Sequence, residues 1–305
     1  MVIRRMRIAV VGDIGVEEHI LIDESPQHHG SSKPLAGEVL RSSRLVGGSA
    51  IFAALAVRKC GCRPTVIAAV DDRSADSASV RRYLLRRRLR HVLIAGPEPP
   101  RFVALWMRQT RRKFLYRLGK SPVWRHRASL GLNVYDARIL FGDASTCVGD
   151  RGRDAGAGYP LTILVPNQCA VRRSFLASAM VAKGDGLCLN ATEARAITHE
   201  QNLRFAVCSL RRALRASSWL RWVVVTCGAR GSWLLAAERV RWFPYHGTAA
   251  RYPLGGGDAL AGAMACHLIR GSPLSDALPR ALRDVGRLMR AFDPFGSKVL
   301  RQAED

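Results

Sequence analysis

Short apolar runs punctuate this chain, and each stops at a residue that ends a strand. Ile8-Ala9-Val10-Val11 meets Gly12, the run at 65–70 meets Asp71-Asp72, 138–141 meets Gly142-Asp143, 161–165 meets Pro166-Asn167, 186–189 meets Asn190, and 222–225 meets Thr226-Cys227-Gly228. None of these runs keeps up a strict alternation of apolar and polar residues. A strand covered on one face alternates, whereas a strand covered on both faces is apolar throughout, so these runs predict a parallel sheet buried from both sides. Between them lie stretches with helical spacing: 47–60, which opens Gly47-Gly48-Ser49 and continues as an alanine-rich run; 75–90; and DALAGAMACHLIRG, which stops at Gly271. The alternation predicts an α/β fold built on a doubly wound, mainly parallel sheet.

Two hairpins interrupt that order. Residues 102–108 (FVALWMR) and 113–118 (KFLYRL) face each other across Gln109 to Arg112, and 231–237 pairs with 239–245. A chain of 305 residues, 48% of them hydrophobic, suffices for one large domain, expected here over 1–305, with a small β-strand lid drawn from parts of 14–46 and 98–118. The Gly- and Asp-rich stretch 144–160 reads as a loop.

No apolar stretch is long enough for a membrane span, and the strand expected from residue 7 leaves little room for a removable leader. The eight cysteines include one C-x-C pair and no C-x-x-C, so the spacing supports neither a zinc finger nor a disulfide framework. They are expected to be reduced, mostly buried thiols, which places the chain in the cytoplasm or, alternatively, in a mitochondrial or other organellar matrix. The net charge of +24 is nearly all arginine, and a field of that sign attracts polyanions. The basic runs Arg81-Arg82, Arg86-Arg87-Arg88, Arg111-Arg112-Lys113 and Arg211-Arg212 are dispersed, as solvated helix faces are.

The stretch YPLGGGDALAG at 252–262 carries the clearest chemistry. A glycine turn opening a helix presents bare amide N–H groups at the positive end of the helix dipole, which is an anion site. Gly255, Gly256 and Gly257 allow a phosphate to approach the backbone, and Asp258 stands in the first helical turn, where a carboxylate could take a proton from an attacking hydroxyl. The same residues also read as a tight turn with Asp258 as a helix cap, and the local motif alone does not choose.

Taken with its context, the stretch resembles the C-terminal signature of the PfkB/ribokinase family of sugar and nucleoside kinases, D-T-x-G-A-G-D. The likeness extends to the early VVGD strand, the Gly-Gly turn before an alanine-rich helix, NATEA at 190–194 against the family's N-x-x-E, and VVVTCGARGSWLL against its V-x-V-T-x-G-x-x-G. The resemblance implies a general base at Asp258 and an anion hole at Gly255 to Gly257. It further implies Mg²⁺ organised through water by Asn190 and Glu193, ATP bordered by Thr226, Gly228 and Gly231, and substrate contacts at Glu17, Gly47 and Gly48. A small hydroxyl-bearing acceptor and a homodimer through the lid follow in the same way.

The pattern is also broken. Tyr252 and Pro253 replace the signature's first acid and threonine, Ile51 stands where an asparagine would touch a sugar, and the family's D-P-N reads Val165-Pro166-Asn167. Two readings follow: a kinase with an altered acceptor, or a catalytically degraded kinase scaffold bound to RNA or a ribonucleoprotein. The second would use the arginine excess and the aromatic-basic segment 106–116, WMRQTRRKFLY, to hold phosphates and stack bases.

Overall fold

A computed structural model describes residues 6–24, 37–108, 113–118, 132–142, 160–166, 184–218 and 220–295. Nine strands form one sheet, in the spatial order β13 (Val240–Pro244), β12 (Gly231–Ala236), β11 (Trp222–Thr226), β10 (Gly186–Asn190), β9 (Leu161–Val165), β8 (Ala137–Phe141), β1 (Arg7–Val11), β4 (Arg63–Val70), β5 (Arg90–Ala95). All neighbours from β11 to β5 are parallel, while β12 and β13 close one edge as an antiparallel hairpin. From β1 the chain builds β4 and β5 on one side and then returns to place β8 on the other. The strand order therefore reverses beside β1, and in such sheets a crevice opens at the carboxyl ends of the strands around that point.

The unbroken apolar runs have a simple cause. Ile8 and Val10 of β1 join a core against α1 (Ser49–Lys59), α2 (Ala75–Arg86), α5 (Gly256–Ile269) and α6 (Leu274–Ala291). Ala9 and Val11 join a second core against α3 (Ala191–Thr198) and α4 (Leu203–Ala216) on the opposite face. Helices thus cover both faces of the doubly wound sheet. Their starts are set by short polar side chains: Ser74 Oγ accepts from Ser77 N at 3.1 Å, and Asn202 Oδ1 accepts from Arg204 N at 2.8 Å. Among the described residues no helix is long and apolar enough to cross a membrane.

A smaller sheet of order β3 (Gly37–Gly47), β2 (Gly15–Glu24), β6 (Arg101–Met107), β7 (Lys113–Leu118) stands beside the crevice. β6 and β7 form the antiparallel hairpin expected over 102–118. The helix expected over 75–90 ends earlier, at Arg86, and Arg90 already begins β5. Arg88 turns the chain with φ 49°, and β5 lies on the sheet edge with its residues alternately exposed, so its arginine and histidine imitated a helix face. Of the stretch 144–160, only Pro160 lies within the described residues, as does neither Asn167 nor the segment 109–112.

Candidate active site

The glycine run sits at the start of α5, where a Cβ on Gly257 would lie 3.9 Å from Thr226 Oγ1 at the carboxyl end of β11. Gly255 is the N-cap and adopts φ 74°, and its carbonyl accepts the first helical hydrogen bond from Ala259 N at 2.9 Å. A Cβ there would fall 2.2 Å from the ring of Phe52 on α1, so both the left-handed backbone and the close crossing of α1 and α5 require glycine. A Cβ on Gly256 would meet only Met289, and one on Gly257 only Thr226 Oγ1, each at 3.9 Å. The N–H groups of this first turn have no partners inside the helix and lie at its positive end.

Asp258 follows in the same turn and is half-buried. Loss of water around its carboxyl pushes the group up to about 7, the Glu17 carboxylate adds to the rise, and a hydrogen bond with the Ser49 side chain opposes it. Glu193, which is buried, rises to about 8: burial is the main cause, hydrogen bonds from Asn190 pull it down, and the charge of Asp258 pushes it up. Cys188 is driven higher still by burial and by the same two acids. The fold thus gathers Glu17, Asp258 and Glu193, far apart in sequence, into one electrostatically coupled group short of positive charge.

Asn190 and Glu193 build a reciprocal cap on α3. Asn190 Oδ1 accepts from the backbone N–H of Thr192 and Glu193, each at 2.9 Å, and Glu193 Oε2 accepts from Asn190 N at 2.8 Å. Thr226 is the parallel-register neighbour of Asn190, at the end of β11, and its hydroxyl donates to Leu189 O at 3.3 Å. After β11 the chain turns through Gly228, with φ 62° and open space beside it, to Gly231 with φ 131°. At Gly231 a Cβ would strike Phe243 O at 2.2 Å, so that glycine serves the β12–β13 hairpin.

Glu17, Gly47 and Gly48 are brought together by a contact among themselves. Glu17, on β2, is buried and accepts from Gly48 N at 2.7 Å, and a Cβ on Gly47 would lie 2.1 Å from its carboxyl carbon. The other Glu17 oxygen lies 3.1 Å from His19 Nε2, and His19 Nδ1 lies 3.1 Å from Trp106 Nε1. An indole nitrogen can only donate, so Nδ1 must accept; the His19 proton therefore sits on Nε2 and is donated to Glu17.

Aromatic rings close this side of the crevice. Trp106 meets Tyr252 edge to face with centroids 5.0 Å apart, and Tyr252 meets Phe295 at 5.3 Å. Phe292 lies 5.4 Å from Phe52 and 6.1 Å from His19. Tyr252 thus packs into a ring cluster. Trp106 is 5% exposed and so is closed to base stacking, which removes it from the stacking platform envisaged over 106–116. Ile51 and Val165 are buried in the core, so those two departures from the family pattern do not line the crevice. Ser49, His19 and Trp106 were not evident as site residues in the sequence. A serine directly after Gly-Gly at a helix start was the signal for the first; the other two meet Glu17 only through strand pairing.

Residues 158–283 match the family described as pfkB family carbohydrate kinase. No curated protein matches the chain by sequence. Among solved structures, a putative ribokinase from Agrobacterium tumefaciens superposes with TM-score 0.75 at 16% identity, covering 98% of this chain and 96% of that one. The ribokinase from Cryptococcus neoformans var. grubii serotype A in complex with ADP gives 0.71 at 15% identity, covering 95% and 96%. The Methanocaldococcus jannaschii nucleoside kinase gives 0.69 at 15% identity, covering 98% of each chain. Residues 158–283 thus match the pfkB family of carbohydrate kinases, and the fold that carries them is ribokinase-like.

Proposed function

We propose that the chain is an ATP-dependent phosphotransferase that acts on a hydroxyl of a sugar, a nucleoside or a related small metabolite. The observation that carries this reading is the Asp258 carboxyl in the first turn of a helix whose Gly256 and Gly257 have no neighbour nearer than 3.9 Å to an added Cβ. Asp258 takes the proton of the acceptor hydroxyl, which makes that oxygen a better nucleophile toward the terminal phosphoryl group of ATP. A base works best with its proton affinity near the working pH, and desolvation has moved Asp258 there. The amides at Gly255 to Gly257 hold the charge that develops on the transferring group, and in phosphoryl transfer such positioning and charge stabilisation supply most of the rate. Ser49 orients the carboxyl. Thr226, beside Gly257, and the turn at Gly228 to Gly231 border the nucleotide.

The acids fit Mg²⁺. The half-buried Asp258 and the buried Glu193 repel one another and are raised to about 7 and about 8, a pair that a cation would relieve, and oxygen donors suit a hard one. Asn190 and one Glu193 oxygen are occupied by the cap, so Asn190 and Glu193 would hold the ion through water. When bound, Mg²⁺ neutralises phosphate charge. Glu17 supports the Gly47-Gly48 turn on which Ser49 is mounted and so positions the base, while the smaller sheet, drawn from parts of 14–46 and 98–118 within one domain, serves as the lid that excludes water.

Beside Tyr252 a cavity of about 380 Å³ is lined in part by Arg41, Arg108 and Arg251, which supports an acceptor bearing an anionic substituent. Exposed Leu115, Tyr116 and Leu118 on the edge strand β7 support a homodimer through the smaller sheet. The testing experiment is ATP binding in the presence of Mg²⁺, followed by turnover, in wild type and Asp258→Asn. Binding retained with turnover lost is the expected result, and absence of ATP affinity at millimolar concentration removes the proposal.

A further inference from the structure

The other ends of the same two helices carry a second cluster that phosphoryl transfer does not use. Cys60 caps the C-terminus of α1, His267 lies in the last turn of α5, and Asp284 projects from α6. We propose that Cys60, His267 and Asp284 form a zinc site that clamps α1 and α5 to α6, with water in the fourth position.

The three ligand atoms all lie within 4.8 Å of one another. Asp284 Oδ2 lies 2.9 Å from His267 Nε2 and 3.5 Å from Cys60 Sγ. Around a tetrahedral zinc, with Zn–S about 2.3 Å and Zn–N or Zn–O about 2.0 Å, ligand atoms stand about 3.3 to 3.8 Å apart. Both separations from the Asp284 oxygen are therefore within a few tenths of an ångström of ligating geometry. A His–Asp ion pair joins α5 to α6 and the Cys60 thiol donates a weak hydrogen bond to the same carboxylate oxygen, so sulfur, nitrogen and oxygen donors already converge on one point.

Donor chemistry selects the ion. Sulfur and imidazole nitrogen disfavour Mg²⁺ and Ca²⁺ and suit zinc. Arg270 donates to Cys60 O at 2.5 Å and Arg287 lies 3.8 Å from Asp284 Oδ1, so the surroundings are cationic and a dication enters only if its ligands carry the counter-charge. A thiolate and a carboxylate cancel the charge of a divalent ion, which lets it enter such a field. Binding displaces the thiol proton of Cys60, and the His267 imidazole ligates through Nε2 with its proton on Nδ1. All three groups are half-buried, which leaves room for the ion to reach them and for a water on it.

The consequence is mechanical. α1 carries Ser49 at its start and α5 carries Asp258, so a clamp at their far ends fixes the two helices relative to each other. The site itself stands apart from the nucleotide reading and is tested apart from it.

The test uses the full chain, stripped of metal with a chelator and titrated with zinc and, separately, with cobalt. One zinc per chain at micromolar concentration, a melting temperature that rises with zinc, and a thiolate-to-cobalt charge-transfer band with the strong visible absorption of tetrahedral cobalt are expected. Cys60→Ser should abolish the charge-transfer band, and His267→Asn should weaken zinc binding at least tenfold. Cys208→Ser, which removes an exposed thiol on α4, should change neither. Cobalt bound without a thiolate band, no zinc uptake at micromolar concentration, or a band that survives in Cys60→Ser and disappears in Cys208→Ser would each overturn the proposal. The wild-type cobalt spectrum decides the matter even where a variant fails to fold.

Discussion

Replacing Asp258 by asparagine should make the protein more stable at pH 8 than the wild type, even as it removes the proposed base. The carboxyl rises from 3.8 to about 7 on folding, chiefly through loss of water, a difference of about three pH units. The folded chain therefore keeps a proton that the unfolded chain has released. Where the native state binds more protons, stability falls as pH rises, here across the window from about 4 to about 7. The whole shift corresponds to roughly 4 kcal/mol, and the part developed between pH 5 and pH 8 is about 2 to 3 kcal/mol. Asparagine copies the neutral carboxyl in shape and cannot ionise. Urea unfolding of both proteins at the two pH values reads the effect of the Asp258 charge together with its push on Glu193, because the remaining titrating groups are common to the pair. The stability difference should move in favour of Asp258→Asn by about 2 to 3 kcal/mol from pH 5 to pH 8, and millimolar Mg²⁺ should shrink it. A difference that stays flat, or moves the other way, would show that Asp258 is well solvated and would refute the electrostatic argument.

Three further outcomes follow from the same contacts. Gly255→Ala, with φ 74° and Phe52 at 2.2 Å, should lose about 2 to 4 kcal/mol in urea unfolding. Gly256→Ala, with only Met289 at 3.9 Å, should lie within about 1 kcal/mol of wild type, so equal losses at the two positions would contradict the helix-crossing account. Trp106→Phe leaves buried His19 Nδ1 without its donor and should cost about 1 to 3 kcal/mol in urea unfolding; an unchanged stability would refute the assigned hydrogen bond.

The sheet was legible in the sequence because a strand covered on both faces has no way to be anything but apolar, as Ile8 to Val11 illustrate. β5 was not, because an edge strand with arginine on its exposed side has the composition of a helix surface. The glycine turn and Asp258 could be read from adjacency along the chain. What could not be read was who stands opposite: Glu193 and Glu17 reach Asp258 only through the packing of three separate elements, and their mutual repulsion has no signature in spacing. The same limit hid Cys60, His267 and Asp284, whose separation along the chain excluded every familiar zinc spacing while the helix packing brought them together. Ile51, which stands where the resemblance expects an asparagine, is buried in the core, a placement that its apolar side chain fits.

The most direct test of the account is ADP release from ATP in the presence of Mg²⁺, measured across sugars, nucleosides and their phosphorylated forms, for wild type and Asp258→Asn side by side. Release that depends on one acceptor class and falls at least about a hundredfold in Asp258→Asn is the predicted result. Acceptor-dependent release that is unchanged in the variant, or no release with any hydroxyl acceptor, would contradict the claim that Asp258 and the amides of Gly255 to Gly257 form a phosphoryl-transfer site.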